Sequence, residues 1–266
     1  MPAGLNLPIM KPFSAVIITY NEEKNIARCL ESIKGIADEI VVVDSFSTDR
    51  TKEICLSYGA VFIEHPFEGF IEKKNFALGK ATHEYALSLD ADEALDETLQ
   101  KSILAEKEKS FPSDCYEMNR MSLFCGQWIK HGSWYPDKKI RLINRHKAQW
   151  GGTNPHDKMI VQKRASKKHL NGDILHKAYN SLEEIILQTN RLTSIQSAAM
   201  YQQGKRSNVI KLVVNPFAAF FSGYIIKRGF LDGYNGFLIA RYASYATFIK
   251  YSKLLYLQKK VGAGAL

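Results

Sequence analysis

Cysteine is scarce in this chain of 266 residues: there are four, Cys29, Cys55, Cys115 and Cys125, and no two fall into a CxxC or CxxH spacing. That argues against a zinc site and a disulfide framework, and the apolar neighbourhoods of all four predict buried free thiols in a reducing compartment. Glycine-rich phosphate loops are also missing, since neither GxGxxG nor GxxxxGK(S/T) occurs. A dinucleotide-binding fold and a P-loop NTPase are thereby disfavoured, and any nucleotide has to be held without a glycine cradle. The opening MPAGLNLPIMKPF has no charged n-region, no long apolar stretch and no cleavage site. No secretory signal is read there, and residues 1–12 are expected to form a disordered lead-in. Acidic residues nearly vanish towards the other end: residues 201–266 hold ten Lys and Arg against one acid, Asp232. The net charge of +9 therefore sits in this tail, and the first two hundred residues are balanced. One-sided charge of this kind calls for an anionic partner. No nucleic-acid-binding motif accompanies it, which leaves a membrane surface.

What is present is a core and a repeated pattern. Hydrophobic residues make up 45% of the chain and aromatics 11%, enough for a sizeable interior. Residues 14–19, 39–44, 60–63 and 85–90 are continuous apolar runs. Helical patterns separate them: one from an N-cap at Asn21 to about residue 33, one from Ser47 or Thr48 to about residue 58, and one near residues 70–80. Such alternation predicts an α/β fold whose parallel strands are covered on both faces. Ligands of open parallel sheets bind beyond the carboxyl ends of the strands. Three polar clusters stand at those ends: Thr19-Tyr20-Asn21-Glu22, Asp44-Ser45 with Asp49 beyond, and Asp90-Ala91-Asp92. Asp90 and Asp92, at i and i+2, can converge on one divalent cation, and hard oxygen ligands suit Mg²⁺ or Mn²⁺ completed by substrate phosphate oxygens.

Taken together, Ile18-Thr19-Tyr20-Asn21-Glu22-Glu23, the segment from Val43-Asp44-Ser45 to Asp49-Arg50-Thr51, Lys74-Asn75-Phe76-Ala77 and Leu89-Asp90-Ala91-Asp92-Glu93 resemble, in order and spacing, the family 2 glycosyltransferases of the GT-A fold. Gly132-Ser133-Trp134-Tyr135-Pro136-Asp137, Arg141-Leu142, Pro155-His156-Asp157 and Gly229-Phe230-Leu231-Asp232-Gly233 extend the likeness to a subgroup of lipopolysaccharide-core glucosyltransferases, over roughly residues 13–257. The resemblance implies a Rossmann-like, mixed and mostly parallel sheet flanked by helices, with a C-terminal helical extension. Its nucleotide half would cover 13–95, its acceptor half 96–180 and the extension 181–260. It implies a UDP-sugar donor, a glycan or glycolipid acceptor, Mn²⁺ or Mg²⁺, and inversion at the transferred sugar. Thr19 and Tyr20 would line the nucleoside pocket, Glu22 would contact the nucleotide, and Asp44 would accept the uracil N–H. Lys74 would lie near the base or diphosphate, Asp90 would contact the ribose or metal, and Asp92 would ligate the metal, with His176 as a further metal or diphosphate contact.

An inverting transfer needs a base for the acceptor hydroxyl. Asp157 is the candidate, one methylene shorter than the glutamate usual for the subgroup, and Asp137 in the turn Tyr135-Pro136-Asp137 competes with it. Trp134 and Tyr135 could offer a sugar ring an apolar face with a polar tip. Downstream, Ser181-Leu182-Glu183-Glu184 reads as a capping box for a helix to about residue 203. The apolar segment 209–226 is interrupted by Lys211, Asn215 and Pro216, and reads as too short and too broken to span a membrane. With a second apolar helix over about 237–257 that also carries bases, it is expected to lie in the interface on the cytoplasmic face of the inner membrane. The competing readings are transfer to a polyprenyl phosphate, which needs no base, a sugar nucleotidyltransferase, which lacks its glycine-rich loop here, and a degenerate scaffold of the same fold.

Overall fold

The computed structural model describes residues 10–153, 156–179 and 181–263, without the side chains of 153, 156 and 261–263. Two compact units emerge. The first takes the described residues up to Arg120 together with Asp137–His176, and the second takes Met121–Pro136 and those from Lys177 onward. The division therefore differs from a single boundary near residue 180, because residues 121–136 group with the C-terminal helices.

In the first unit the alternation appears as β1 (Phe13–Thr19), α1 (Ile26–Ile33), β2 (Glu39–Asp44), α2 (Thr51–Ser57), β3 (Val61–Glu64), α3 (Phe70–Lys80) and β4 (Tyr85–Asp90). β5 (Glu93–Leu95), α4 (Glu97–Glu108), β6 (Cys115–Phe124), β8 (Asp137–Asn144), β9 (Ala148–Thr153), β10 (His156–Val161) and β11 (Lys167–Tyr179) follow; a short β7 (Gln127–Trp128), between β6 and β8 in sequence, belongs to the second unit. The main sheet runs β3-β2-β1-β4-β8-β6-β11-β5, and β9 and β10 form a separate hairpin. Pairing among β3, β2, β1 and β4 is parallel; β8 joins β4 and β6 antiparallel, and β11 joins β5 antiparallel. The expected mixed α/β sheet is thus present, its parallel part confined to the nucleotide half. Both faces are covered: Phe13, Ala15, Ile17, Leu87 and Leu89 pack one way with α1 residues Ile26, Leu30 and Ile33, while Val16, Val41, Val43 and Ala86 pack the other way with Ala77 and Leu78 of α3. That two-sided burial is why β1 and β2 read as unbroken apolar runs rather than alternating ones. Cys29, Cys55 and Cys115 are buried free thiols, as their neighbourhoods predicted.

Two helix starts differ from expectation. α2 begins at Thr51, after Arg50, rather than from a cap at Ser47 or Thr48. α1 begins at Ile26 rather than just after Asn21. Asn21 adopts a left-handed φ of 53°, its N–H donates to Ser47 Oγ at 2.8 Å, and its side-chain oxygen accepts from Thr48 N–H at 2.8 Å. The residue ties two strand-end loops together instead of capping a helix.

The second unit is mainly helical: α5 (Leu182–Gln202), α6 (Val209–Phe221) and α7 (Gly233–Ala263). Ser181 caps α5 by accepting from Glu184 N–H, as the capping box predicted. Pro216 does not break α6; the helix runs through it and continues as a π-helical turn over Ser222–Ile226. This corrects the expectation of a broken segment, since Val209–Ile226 forms a helix long and apolar enough to cross a membrane by length and composition. A small core of Phe124, Ile129, Ile185 and Ile239 holds the unit together.

Candidate active site

The register of the parallel strands sets the site. Thr19 lies opposite Asp44 at the ends of β1 and β2, and Ile18 lies opposite Asp90 of β4. The three polar clusters therefore finish at one edge of the sheet. Thr19 and Asp44 are buried and Tyr20 is exposed. Asp44 closes the loop after β2 by accepting Ser47 N–H and Ser47 Oγ–H on its two oxygens. Each carboxylate oxygen keeps a second acceptor position. Glu22 anchors the β1 loop, its N–H donating to Thr51 Oγ1 and its carboxylate accepting from Asn25 at 2.8 Å. Burial raises the Glu22 carboxyl above its ordinary value, and Asp92, Asp49 and Asp90 push it the same way. A locally negative field of this kind suits a cation.

Two lysines that are neighbours in α3 have different partners. Lys73, which sequence reasoning passed over, is buried, and its Nζ donates to the Thr19 carbonyl and Ser45 Oγ, each at 2.6 Å. Desolvation lowers its pKa to about 8, against the opposing pull of Asp44 and Asp90. Lys74 reaches Asp90 at 3.0 Å and Asp157 at 2.8 Å, 4.4 Å above the Trp150 ring. The lysine is thus a bridge between the β4 end and the β10 strand.

The acidic segment after β4 divides. Asp90 is held by Lys74 and by Arg141 at 3.3 Å. Burial works against its ionisation, but Lys74 and Arg141, with Arg120 behind them, outweigh burial and hold the carboxyl well below the usual range. Glu93 is fully buried and pairs with Arg141 at 2.7 Å and Arg120 at 3.3 Å. Burial disfavours charge on Arg141 too, yet Glu93, Asp90 and Asp157 keep it firmly protonated. Asp92 faces the other way: its carboxylate lies 3.3 Å from His176 Nε2, and both side chains are partly exposed. Among the described residues no third His, Cys, Asp or Glu completes a metal cluster. Two metal-competent groups at an exposed strand end fit Mg²⁺ or Mn²⁺, which take few protein ligands and leave positions for phosphate oxygens and water.

The acceptor candidates separate as well. Asp157 is largely buried and lines a cleft of about 410 Å³ together with Lys74, Asp90, Arg120, Arg141 and Trp150. Asp137 is engaged by Arg120 at 2.8 Å and by Lys139 at 3.0 Å, so its carboxylate is already neutralised on both oxygens. Trp134 and Tyr135 belong to the second unit, where the Trp134 ring packs edge-on to Phe124 at 5.6 Å and beside Tyr179 at 5.8 Å. In the Pro155-His156-Asp157 motif, Pro155 and the His156 side chain lie outside the described residues. Arg141, Glu93 and Arg120, like Lys73, are site residues to which the sequence assigns no role, although Arg141 and Glu93 stand in the quoted motifs. The one available signal was a charge inside an apolar strand, Arg141 in Ile140-Arg141-Leu142-Ile143.

Comparison with known proteins matches residues 14–170 to the glycosyl transferase family 2 model. An uncharacterised glycosyltransferase of Rickettsia typhi is 32% identical, with 94% of this chain and 89% of that protein covered. The lipopolysaccharide core biosynthesis glycosyltransferase LpsC of Rhizobium meliloti is 28% identical over 91% of this chain and 92% of its own length. Among solved structures, S. aureus TarS 1-349 aligns with 94% of this chain and 91% of its own at 17% identity and a TM-score of 0.43. Glucosyl-3-phosphoglycerate synthase from Mycobacterium tuberculosis, solved with Mn²⁺ and UDP, aligns with 42% of this chain and 44% of its own at 20% identity and a TM-score of 0.35.

Proposed function

The chain belongs to glycosyl transferase family 2, and from that premise we propose that it moves a hexose, glucose, from a UDP-sugar to a membrane-associated glycan or glycolipid of the lipopolysaccharide inner core, with inversion. The name of the Rhizobium relative supports the acceptor class. One observation carries the chemistry: Lys74 bridges Asp90, at the nucleotide edge, and Asp157, in the wall of the cleft, at 3.0 and 2.8 Å. A base beside the donor edge and open to a cleft is what direct displacement needs.

In this reading Asp44 and Thr19 take the uracil and its ribose, and Asp92 with His176 hold the cation. When bound, the cation neutralises charge on the departing diphosphate. Asp157, oriented by Lys74, accepts the proton of the acceptor hydroxyl as that oxygen bonds to the anomeric carbon. The bond from this carbon to the diphosphate breaks on the opposite face, and UDP leaves with its electrons. Lys73 does not touch the reacting atoms; it fixes the Thr19 carbonyl and Ser45, and so the two loops around the nucleotide.

The second unit supplies the membrane contact. α6 exposes Val209, Ile210, Val213, Phe217 and Phe221, and the turn beyond it exposes Ile226. Lys205 and Arg206 precede this surface, and Lys227 and Arg228 follow it. α7 packs along α6 and carries Arg241, Lys250 and Lys253, which are costly to bring into hydrocarbon. The pair therefore lies in the interface, on the cytoplasmic face of the membrane, rather than crossing it.

The test is Asp157→Asn, assayed for transfer from UDP-glucose to a heptose-containing core glycolipid. Turnover is expected to fall about 10²–10⁴-fold with donor affinity unchanged. Unaltered turnover on a polyprenyl phosphate, whose oxygen is already an anion, would replace this reading with the lipid-phosphate one.

A further inference from the structure

The cleft beside Asp157 has more cationic character than a neutral sugar requires. Its walls include Lys74, Arg120, Lys138, Lys139, Arg141 and Lys158, opposed by Asp90, Glu117 and Asp157. Much of that charge is consumed internally. Lys74 serves Asp90 and Asp157, Arg120 serves Glu93 and Asp137, and Lys139 serves Asp137. Lys138 stands 3.6 Å from Glu117, which also faces His169 at 3.4 Å. Three sets of donors are left. Arg141 is only 3% exposed and commits one nitrogen, Nη2, to Glu93 and Asp90, while its Nε and Nη1 have no partner among the described residues. Trp150, buried in the same wall, has an unpartnered Nε1–H. Lys158 forms no ion pair among the described residues and is exposed at the rim.

Buried N–H groups without acceptors are costly, and a guanidinium more so than a neutral amide. Sugar hydroxyls could satisfy them singly, but they would leave the charge of Lys158 unanswered, since that of Arg141 is already met by Glu93 and Asp90. An oxyanion answers both, through charge-assisted hydrogen bonds. The diphosphate of the donor is the obvious anion, and Lys74 and Asp90 of the donor edge do line this cleft, but Thr19, Asp44, Asp92 and His176 do not. The cleft instead runs from Asp157 along residues 138–141 of β8 and 158–159 of β10, and in the proposed reaction the acceptor hydroxyl meets Asp157 there. We propose that this cleft is an oxyanion subsite for the acceptor: the sugar that receives the hexose, or the residue next to it, bears a phosphate or carboxylate held by Arg141, Trp150 Nε1–H and Lys158. This rests on the glycosyltransfer reading for the identity of the bound molecule, and on the unpartnered donors for its charge.

The experiment titrates glucose 6-phosphate, glucuronate and glucose into the full-length protein, first alone and then saturated with UDP and Mn²⁺, by calorimetry. The anionic sugars are expected to bind at least tenfold more tightly than glucose, and to do so equally well in the UDP-saturated protein. Lys158→Gln, a change at an exposed position, is expected to weaken the anionic sugars several-fold and leave glucose unaffected; Arg141→Gln should abolish the preference. Equal affinity for all three sugars overturns the proposal. So does displacement of the anionic sugars by UDP, which would give the cleft to the donor diphosphate, or indifference to Lys158→Gln in a protein that binds UDP normally. UDP affinity in the same samples reports separately on the donor site. Failure there with anionic-sugar binding intact removes the transfer reading and retains the subsite.

Discussion

Glu93 sits fully buried between Arg141 and Arg120, at 2.7 and 3.3 Å, and Asp90 is taken by Lys74 and Arg141. Of three carboxylates within four positions, Asp92 is the one paired with a histidine, His176, rather than with a lysine or arginine among the described residues. From the sequence, Asp90 is expected at the ribose or metal and Asp92 at the metal; spacing along a strand end reveals that proximity but not the long-range cations that pair with Asp90. Arg141 lies about fifty residues downstream, and no local pattern connects it to Asp90. Lys73 was invisible for a related reason. In Glu72-Lys73-Lys74-Asn75 it resembles a solvated helix charge, and only the fold buries it beneath the Thr19 carbonyl. Its pKa of about 8, against an ordinary 10.5, has a defined consequence. Below about pH 8 the lysine is protonated in both folded and unfolded chains and adds no slope to stability. Between about 8 and 10.5 the folded protein has shed a proton that the unfolded chain retains, so this residue's contribution to stability rises with pH. Urea midpoints compared between the wild type and Lys73→Met from pH 7 to 10 should show the wild type gaining on the variant above pH 8. A constant difference would mean the lysine titrates normally.

Among the elements, the four parallel strands and the starts of α3 and α5 are legible in the sequence, and the starts of α1 and α2 are not. β2, β4 and α3 fall where apolar runs and helical periodicity put them, since burial on both faces leaves an unmistakable pattern. α1 starts five residues beyond its apparent cap, because the Asn21 side chain found a partner across a loop, at Thr48, that sequence proximity does not suggest. Pro216 suggests a break in α6, but the residue is buried and the helix runs through it. The packing of α7 makes a sharp test of the second unit. Gly236, in its first turn, lies so close to Gly229 that an added Cβ would stand 1.8 Å from the Gly229 carbonyl oxygen. No flexible side chain is there to move aside. Gly236→Ala is expected to destabilise the unit by about 1–3 kcal/mol or more, seen as a lowered Tm. An unchanged Tm would show that the Gly229 turn does not pack on α7 in this way.

For the whole molecule, the segregation of charge and apolar surface joins sequence to location. The tail that carries the net charge of +9 also carries the exposed apolar side of α6. Full-length protein should cosediment with phosphatidylglycerol vesicles more than with phosphatidylcholine vesicles, and the difference should shrink as salt is raised. Phe217→Glu should weaken both without altering UDP affinity; unimpaired binding by that variant would remove α6 from the membrane contact. The donor site is the claim on which the rest depends, and calorimetric titration of UDP with and without Mn²⁺, for the wild type and for Asp92→Ala, addresses it directly. Saturable UDP binding that requires Mn²⁺ and is lost at least tenfold in Asp92→Ala is the expected result. Binding that ignores both the metal and the substitution, or no binding by a folded protein, would contradict it.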